Sequence, residues 1–171
     1  MYLGLYTESK DVKYLEKSKE NINAVIALID APKSITVNDY VVGLNHTAAA
    51  LIIYKNMGID FGKSPEELSK NAVYYSNKYK TNYTNMSVFV LSYVLSHKKD
   101  PSISELELSN QILIKNKNFL NTVLKTSNIR NGTLDINDNR IFSLNTLRLM
   151  SLDKNFENYL ASTGFDISKL K

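Results

Sequence analysis

The residues of this chain that could do chemistry are few and widely spaced. His46 sits in Leu44-Asn45-His46-Thr47, inside an otherwise apolar stretch whose nearest upstream acid is Asp39. A buried histidine can serve as an acid–base or pH-sensitive group. Without a second histidine or a cysteine nearby, this one reads as a satisfied interior or interface residue. His97 precedes Lys98 and Lys99 at a helix end, where the helix dipole favours a cation. The chain has no cysteine, which excludes disulfides, thiol catalysis and thiolate metal sites. Gly62-Lys63-Ser64 has the form of a phosphate-loop tail, but Met57 stands where the upstream glycine is needed, so that motif is rejected. Glu66-Glu67 belongs to a helix cap, and Ser92 and Ser96 have no histidine–acid partners legible in the sequence. With no nucleophile–base–orienter set, the reading is not an enzyme: no catalytic residue, no metal and no cofactor.

Tyr75, Tyr79 and Tyr83 are spaced by four and interleaved with Lys78 and Lys80. Aromatics among bases can stack single-stranded nucleic acid. Tyrosines at this spacing more commonly pack one face of a helix with their hydroxyls at the rim, and that reading is preferred. The 11 tyrosines of the whole chain suit an amphipathic, partly exposed interface.

The elements that position these residues are helical. Apolar residues at Val12, Leu15, Ile22, Val25, Ile26 and Ile29 share one helical face, and Pro32 ends it. A second helix starts near Thr36 or Asn38 and runs to Gly58. Its small residues (Gly43, Ala48, Ala49 and Ala50) allow close packing and predict a central position. Ser64-Pro65-Glu66-Glu67 is a strong helix start, with Ser64 as cap and Pro65 in the first turn. That helix runs to about Lys80. Thr84 or Asn85 caps another, which Asp100-Pro101 ends.

Beyond Ser102 two readings compete. One is a single helix from Ser104 to about Ser127. The other breaks at Ile114-Lys115-Asn116 into two helices. Asn131-Gly132 and Asn137-Asp138-Asn139 are turn signals. Thr133–Asn137 alternates, and Arg140–Leu144 returns with β-friendly residues, which is a hairpin signature. A last helix covers about 145–162, with an interruption near Ser151.

In that order the segments 84–162 resemble the MarR-type winged helix-turn-helix regulators. Val90-Leu91 matches the apolar pair before the motif, Glu105-Leu106 the start of its first helix, and Asp138 and Arg140 the acidic-x-Arg element of the wing. The resemblance implies that Asn116–Leu124 is a recognition helix lying in the major groove. Lys115, Asn116, Lys117, Asn118, Asn121 and Thr122 would then reach base edges or phosphates, and Arg140 would reach the minor groove or phosphate from the wing tip. The fold expected is mainly α: a helical bundle whose N-terminal region, 1–83, packs on a winged-helix-like region, 84–171, that carries one small β-hairpin, together one compact domain. The alternative is an all-α bundle.

The 171 residues suffice for one domain with a genuine core. The chain carries 21 basic and 17 acidic residues, a net charge of +4, with the excess concentrated over 63–100. That permits nucleic acid without demanding it, because phosphate binding usually shows as a dense basic patch. No apolar run reaches the roughly 18 residues of a membrane helix. The functional expectation is a cytoplasmic DNA-binding transcriptional regulator, a homodimer on double-stranded DNA. The alternative is a non-enzymatic helical protein–protein interaction or assembly module, exported if the chain is a trimmed mature form.

Overall fold

The computed structural model describes residues 2–32, 35–98, 102, 104, 105, 107 and 140–162. Among them are seven helices: α1 (Tyr2–Ser9), α2 (Val12–Asp30), α3 (Val37–Asn56), α4 (Pro65–Lys78), α5 (Thr84–Ser96), α6 (Arg140–Met150) and α7 (Phe156–Ser162).

Side chains cap the starts of three of them. Asp11 accepts from the Lys13 amide, Thr36 from that of Asp39 and Ser64 from that of Glu67. Each satisfies an amide that has no partner within its helix. Thr84, expected to cap α5, instead donates its hydroxyl to the carbonyls of Ser76 and Thr81, and α5 begins without a side-chain cap. Ser102 and Glu105 form a reciprocal capping box: the Glu105 amide donates to Ser102 Oγ at 3.2 Å, and the Ser102 amide donates to Glu105 Oε2 at 2.9 Å. Lys98 lies between Glu66 (3.0 Å) and Glu105 (2.7 Å), joining the start of α4 to this box. The hydrogen bond from the Lys98 ammonium, followed by those from the Ser102 amide and hydroxyl, holds the Glu105 carboxyl down at about 2.

The end of α3 is a Schellman motif. Gly58, at φ +75°, donates to the Lys55 carbonyl and Ile59 donates to that of Tyr54. The end of α4 repeats the pattern with Lys80 in the glycine position: Lys80 has φ 51°, its amide donates to Asn77, and Thr81 donates to Ser76.

Helix α3 is central and touches α2, α4, α5 and α6. Ala48, Ala49 and Ala50 are buried and Gly43 partly so, and around Ala48 and Ala49 the main core gathers Leu44, Phe89, Val90, Tyr93, Leu147, Met150, Phe156 and Leu160. Each large side chain removed from water in this way contributes about 1.5–3 kcal/mol. A smaller second core joins Leu3, Ala50, Ile53 and Tyr54.

No strand occurs among the described residues. The return strand expected over Arg140–Leu144 is the start of α6. Five residues of β-friendly composition suit a strand, but over 142–150 the burial follows a helical period. Ser143, Leu144, Thr146, Leu147 and Met150 face inward, and Phe142, Asn145 and Arg148 face out. A strand would alternate, placing Ser143 and Leu144 on opposite sides. Packing of this stripe against α3 overrides the local β preference.

The return strand of the expected β-hairpin wing is therefore corrected to helix, and the architecture of the described residues to an all-α bundle; the other strand, Thr133–Asn137, and the turn at Asn137-Asp138-Asn139 lie outside the described residues. The DNA-binding regulator and its double-stranded DNA partner fall with the wing that was to grip the duplex. The homodimer, expected as the way two reading heads are held on DNA, loses its basis with them. No helix among the described residues is long and apolar enough to cross a membrane.

Candidate functional site

Three groupings of polar or aromatic side chains stand out, and they differ in how fully their atoms are engaged.

The first is centred on Asp153, in the turn between α6 and α7, which is 4% exposed. Its Oδ2 accepts from the Tyr93 hydroxyl at 2.8 Å and lies 2.7 Å from His97 Nε2. Its Oδ1 accepts from the Asn155 amide at 3.1 Å and from Asn56 Nδ2 at 3.3 Å. Burial first, then the Asp153 charge, pushes the Tyr93 phenol far up, so it stays a donor. The other ring nitrogen of His97, Nδ1, lies 2.9 Å from the Tyr93 carbonyl. By residue type this is a carboxylate–histidine–tyrosine set of the kind used in acid–base chemistry. By geometry it is a clasp: both ring nitrogens and both carboxylate oxygens are already occupied by neighbours within the protein.

The second grouping lies on α3. Burial pushes the His46 imidazole down, against a smaller opposing effect from its hydrogen bond to the Phe142 carbonyl. Nε2 is buried without a partner among the described residues, which leaves Nδ1 to donate to Phe142. The neighbouring Thr47 hydroxyl and Asn45 Oδ1 are also buried without partners among the described residues, although Asn45 Nδ2 donates to Ser87 Oγ at 2.9 Å.

The third is an open aromatic face on α4. Glu67, Lys70, Asn71, Tyr74, Asn77 and Lys78 recur at helical spacing and are exposed. Tyr74 and Tyr79 are 56% and 51% exposed. The Lys78 ammonium sits between them, 5.5 Å from the Tyr74 ring centre and 5.4 Å from that of Tyr79. A hydrogen bond to Tyr74, and then the tyrosine charges, push the Lys78 amine up. Tyr75 anchors the face from below. Its ring meets Tyr40 edge-on at 5.1 Å and Tyr74 at 5.2 Å, and stacks parallel to Tyr79 at 6.3 Å. Rings held this way lose little freedom on binding, so the patch is a preorganised platform.

The tyrosines expected on one face separate. Tyr83 is buried beyond the end of α4, meeting Phe142 edge-on. Tyr75 is half-buried and Tyr79 is exposed. Tyr74, which completes the platform, was missed; its place on the polar stripe 67, 70, 71, 74, 77 and 78 was the signal that could have found it. Lys115, Asn116, Lys117, Asn118, Asn121 and Thr122 lie outside the described residues, as does the choice between one helix and two at 114–116. Arg140 is the first residue of α6, not a wing tip. Among the described residues no group of three or more histidine, aspartate or glutamate side chains is placed to hold a metal ion.

Comparison with protein-family models, with curated proteins and with solved structures finds no match to this chain.

Proposed function

We propose that this protein is a non-enzymatic all-α interaction module that binds a partner protein through the α4 platform of Tyr74, Lys78 and Tyr79. The observation that carries this reading is the pair of half-exposed tyrosines braced by Tyr75 and bridged by one lysine. Tyrosine dominates the contact energy of many protein interfaces, because it offers a large amphipathic surface with few rotatable bonds. The stretch from Tyr74 to Lys80 carries two lysines and no acid, so the matching surface presents carboxylates among apolar groups. The full engagement of Asp153, His97 and Tyr93 within the bundle supports the same reading, since they act there as a clasp between α5 and the α6–α7 turn.

The test is quantitative capture from a native extract by the wild-type chain and by a Tyr74→Ala/Tyr79→Ala variant of equal thermal stability. The expected result is a defined protein retained by the wild type and at least tenfold depleted with the variant. Identical capture profiles would remove the platform from the interaction.

A further inference from the structure

A cleft of about 500 Å³ opens between α1, the start of α2, the end of α3 and the turn joining α6 to α7. That volume falls within the range of small-molecule sites. Its chemistry is divided. Leu15, Ile53, Met57, Ile59 and Leu152 make an apolar lining. These residues belong to the second core or pack on it, and all but Ile53 remain only partly buried. The small core is thus left open to solvent on this side.

The same cleft carries Lys10 and Lys154. Neither makes an ion pair with any other described residue. The acid that lines the cleft, Asp153, has its carboxylate taken up by Tyr93, His97, Asn56 and the Asn155 amide. The charge left to meet a ligand is therefore positive. Lys10 holds its place at a conformational cost. It occupies the left-handed position closing α1, at φ 59°, with its amide donating to the Tyr6 carbonyl. Glycine is the ordinary residue there, because a side chain is strained in that conformation. Strain of this kind concentrates at ligand sites. In return the Lys10 side chain lies over the Tyr6 ring at the cleft, 5.9 Å from its centre.

We infer that this cleft binds a small anionic amphiphile, an alkyl carboxylate whose tail covers the apolar lining and whose head group pairs with Lys10 and Lys154. The tail completes burial of the second core, and the two ammonium groups supply charge-assisted hydrogen bonds to the carboxylate. The long lysine stems reach over apolar surface while their heads stay hydrated, which suits them to a pocket mouth.

Decanoate, below its micelle concentration, is the probe, followed by titration calorimetry and by methyl NMR of the full chain. Decanol and decyltrimethylammonium carry the same tail without charge and with the opposite charge. Expected is saturable decanoate binding that shifts the methyl signals of Ile53, Met57 and Ile59, at least tenfold tighter than either control. A Lys10→Gly/Lys154→Ala variant should bind at least tenfold more weakly. Lys10→Gly alone should weaken binding severalfold while raising the melting temperature, a combination that loss of folding cannot produce. The Tyr74→Ala/Tyr79→Ala variant should bind decanoate as the wild type does, so failure of the α4 interface and failure of this site are read separately. Absence of saturable binding, equal affinity for decanol or the cation, unmoved cleft methyls, or wild-type affinity in the double lysine variant would each overturn the assignment.

Discussion

The Tyr93 hydroxyl donates to Asp153 Oδ2 at 2.8 Å across 60 positions of sequence. This bond, with the His97 contact at 2.7 Å, ties the end of α5 to the α6–α7 turn. Removing the carboxylate leaves a buried phenol and an imidazole facing a void. Asp153→Ala should therefore destabilise the fold by about 3 kcal/mol, and Tyr93→Phe by about 1 kcal/mol. Urea unfolding monitored by circular dichroism measures both. An Asp153→Ala variant as stable as the wild type would show that the clasp holds nothing.

Burial keeps the His46 imidazole below the ordinary histidine value. Near pH 6.5 the unfolded chain takes up a proton that the folded chain refuses. The unfolded state then binds more protons, and stability falls as pH drops below about 6.5, until the folded value is passed. Glu66 and Glu105 are held low by Lys70 and Lys98, Glu66 chiefly by Lys70 and Glu105 by Lys98. Their contribution is present above about pH 4.5 and is lost only in stronger acid. His46→Gln should flatten the change in urea midpoint between pH 7.5 and 5.5. Parallel curves for the variant and the wild type would assign that slope elsewhere.

Lys80 closes α4 in the left-handed conformation at φ 51°. Glycine adopts it freely, so Lys80→Gly should stabilise by about 1 kcal/mol. In a chain of this length that raises the melting temperature by roughly 2–4 °C. A lower melting temperature would mean that the lysine side chain contributes more than its backbone strain removes.

The Thr47 hydroxyl is fully buried and has no hydrogen-bond partner among the described residues. Valine keeps the shape and deletes the unsatisfied group, so Thr47→Val should stabilise by about 1 kcal/mol. Destabilisation on this change, read from the same urea curves, would point to an ordered water bonded to the hydroxyl.

The Tyr74 and Tyr79 side chains project from the bundle, so Tyr74→Ala/Tyr79→Ala should change stability by no more than about 0.5 kcal/mol. Thermal melts check this, and a large loss would make the platform part of the fold rather than a surface for a partner.

Much of α2 to α5 is legible in the sequence. Leu15, Ile22, Val25, Ile26 and Ile29 show the inward-facing stripe of α2 within one window, although only Ile29 is fully buried and Val12, placed on the same face by its spacing, is 60% exposed. Ser64-Pro65-Glu66-Glu67 carries its own start signal, and Gly58 marks the close of α3. Capping and periodicity act between residues a few positions apart, so sequence reports them directly. The capping box of Ser102 and Glu105 was equally local and went unread.

The segment from Arg140 failed for the opposite reason. Ile141-Phe142-Ser143-Leu144 is too short a run to separate a strand from a helix, and the outcome rests on where α3 offers an apolar surface. The interaction surface divides in the same way. Spacing alone put Tyr75, Tyr79 and Tyr83 together. Exposure selected Tyr74 and Tyr79, left Tyr75 beneath them and sent Tyr83 inward.

By itself, then, the sequence determined the helical character of residues 12–96, the small-residue face of α3 and the absence of any cysteine chemistry. Only the tertiary structure decided that Arg140–Met150 is helix, that Asp153 meets Tyr93 and His97, and which tyrosines reach solvent. The first group depends on interactions within one or two turns of chain. The second depends on which distant surfaces close over one another, and that is settled by the burial of the whole bundle rather than by any segment of it.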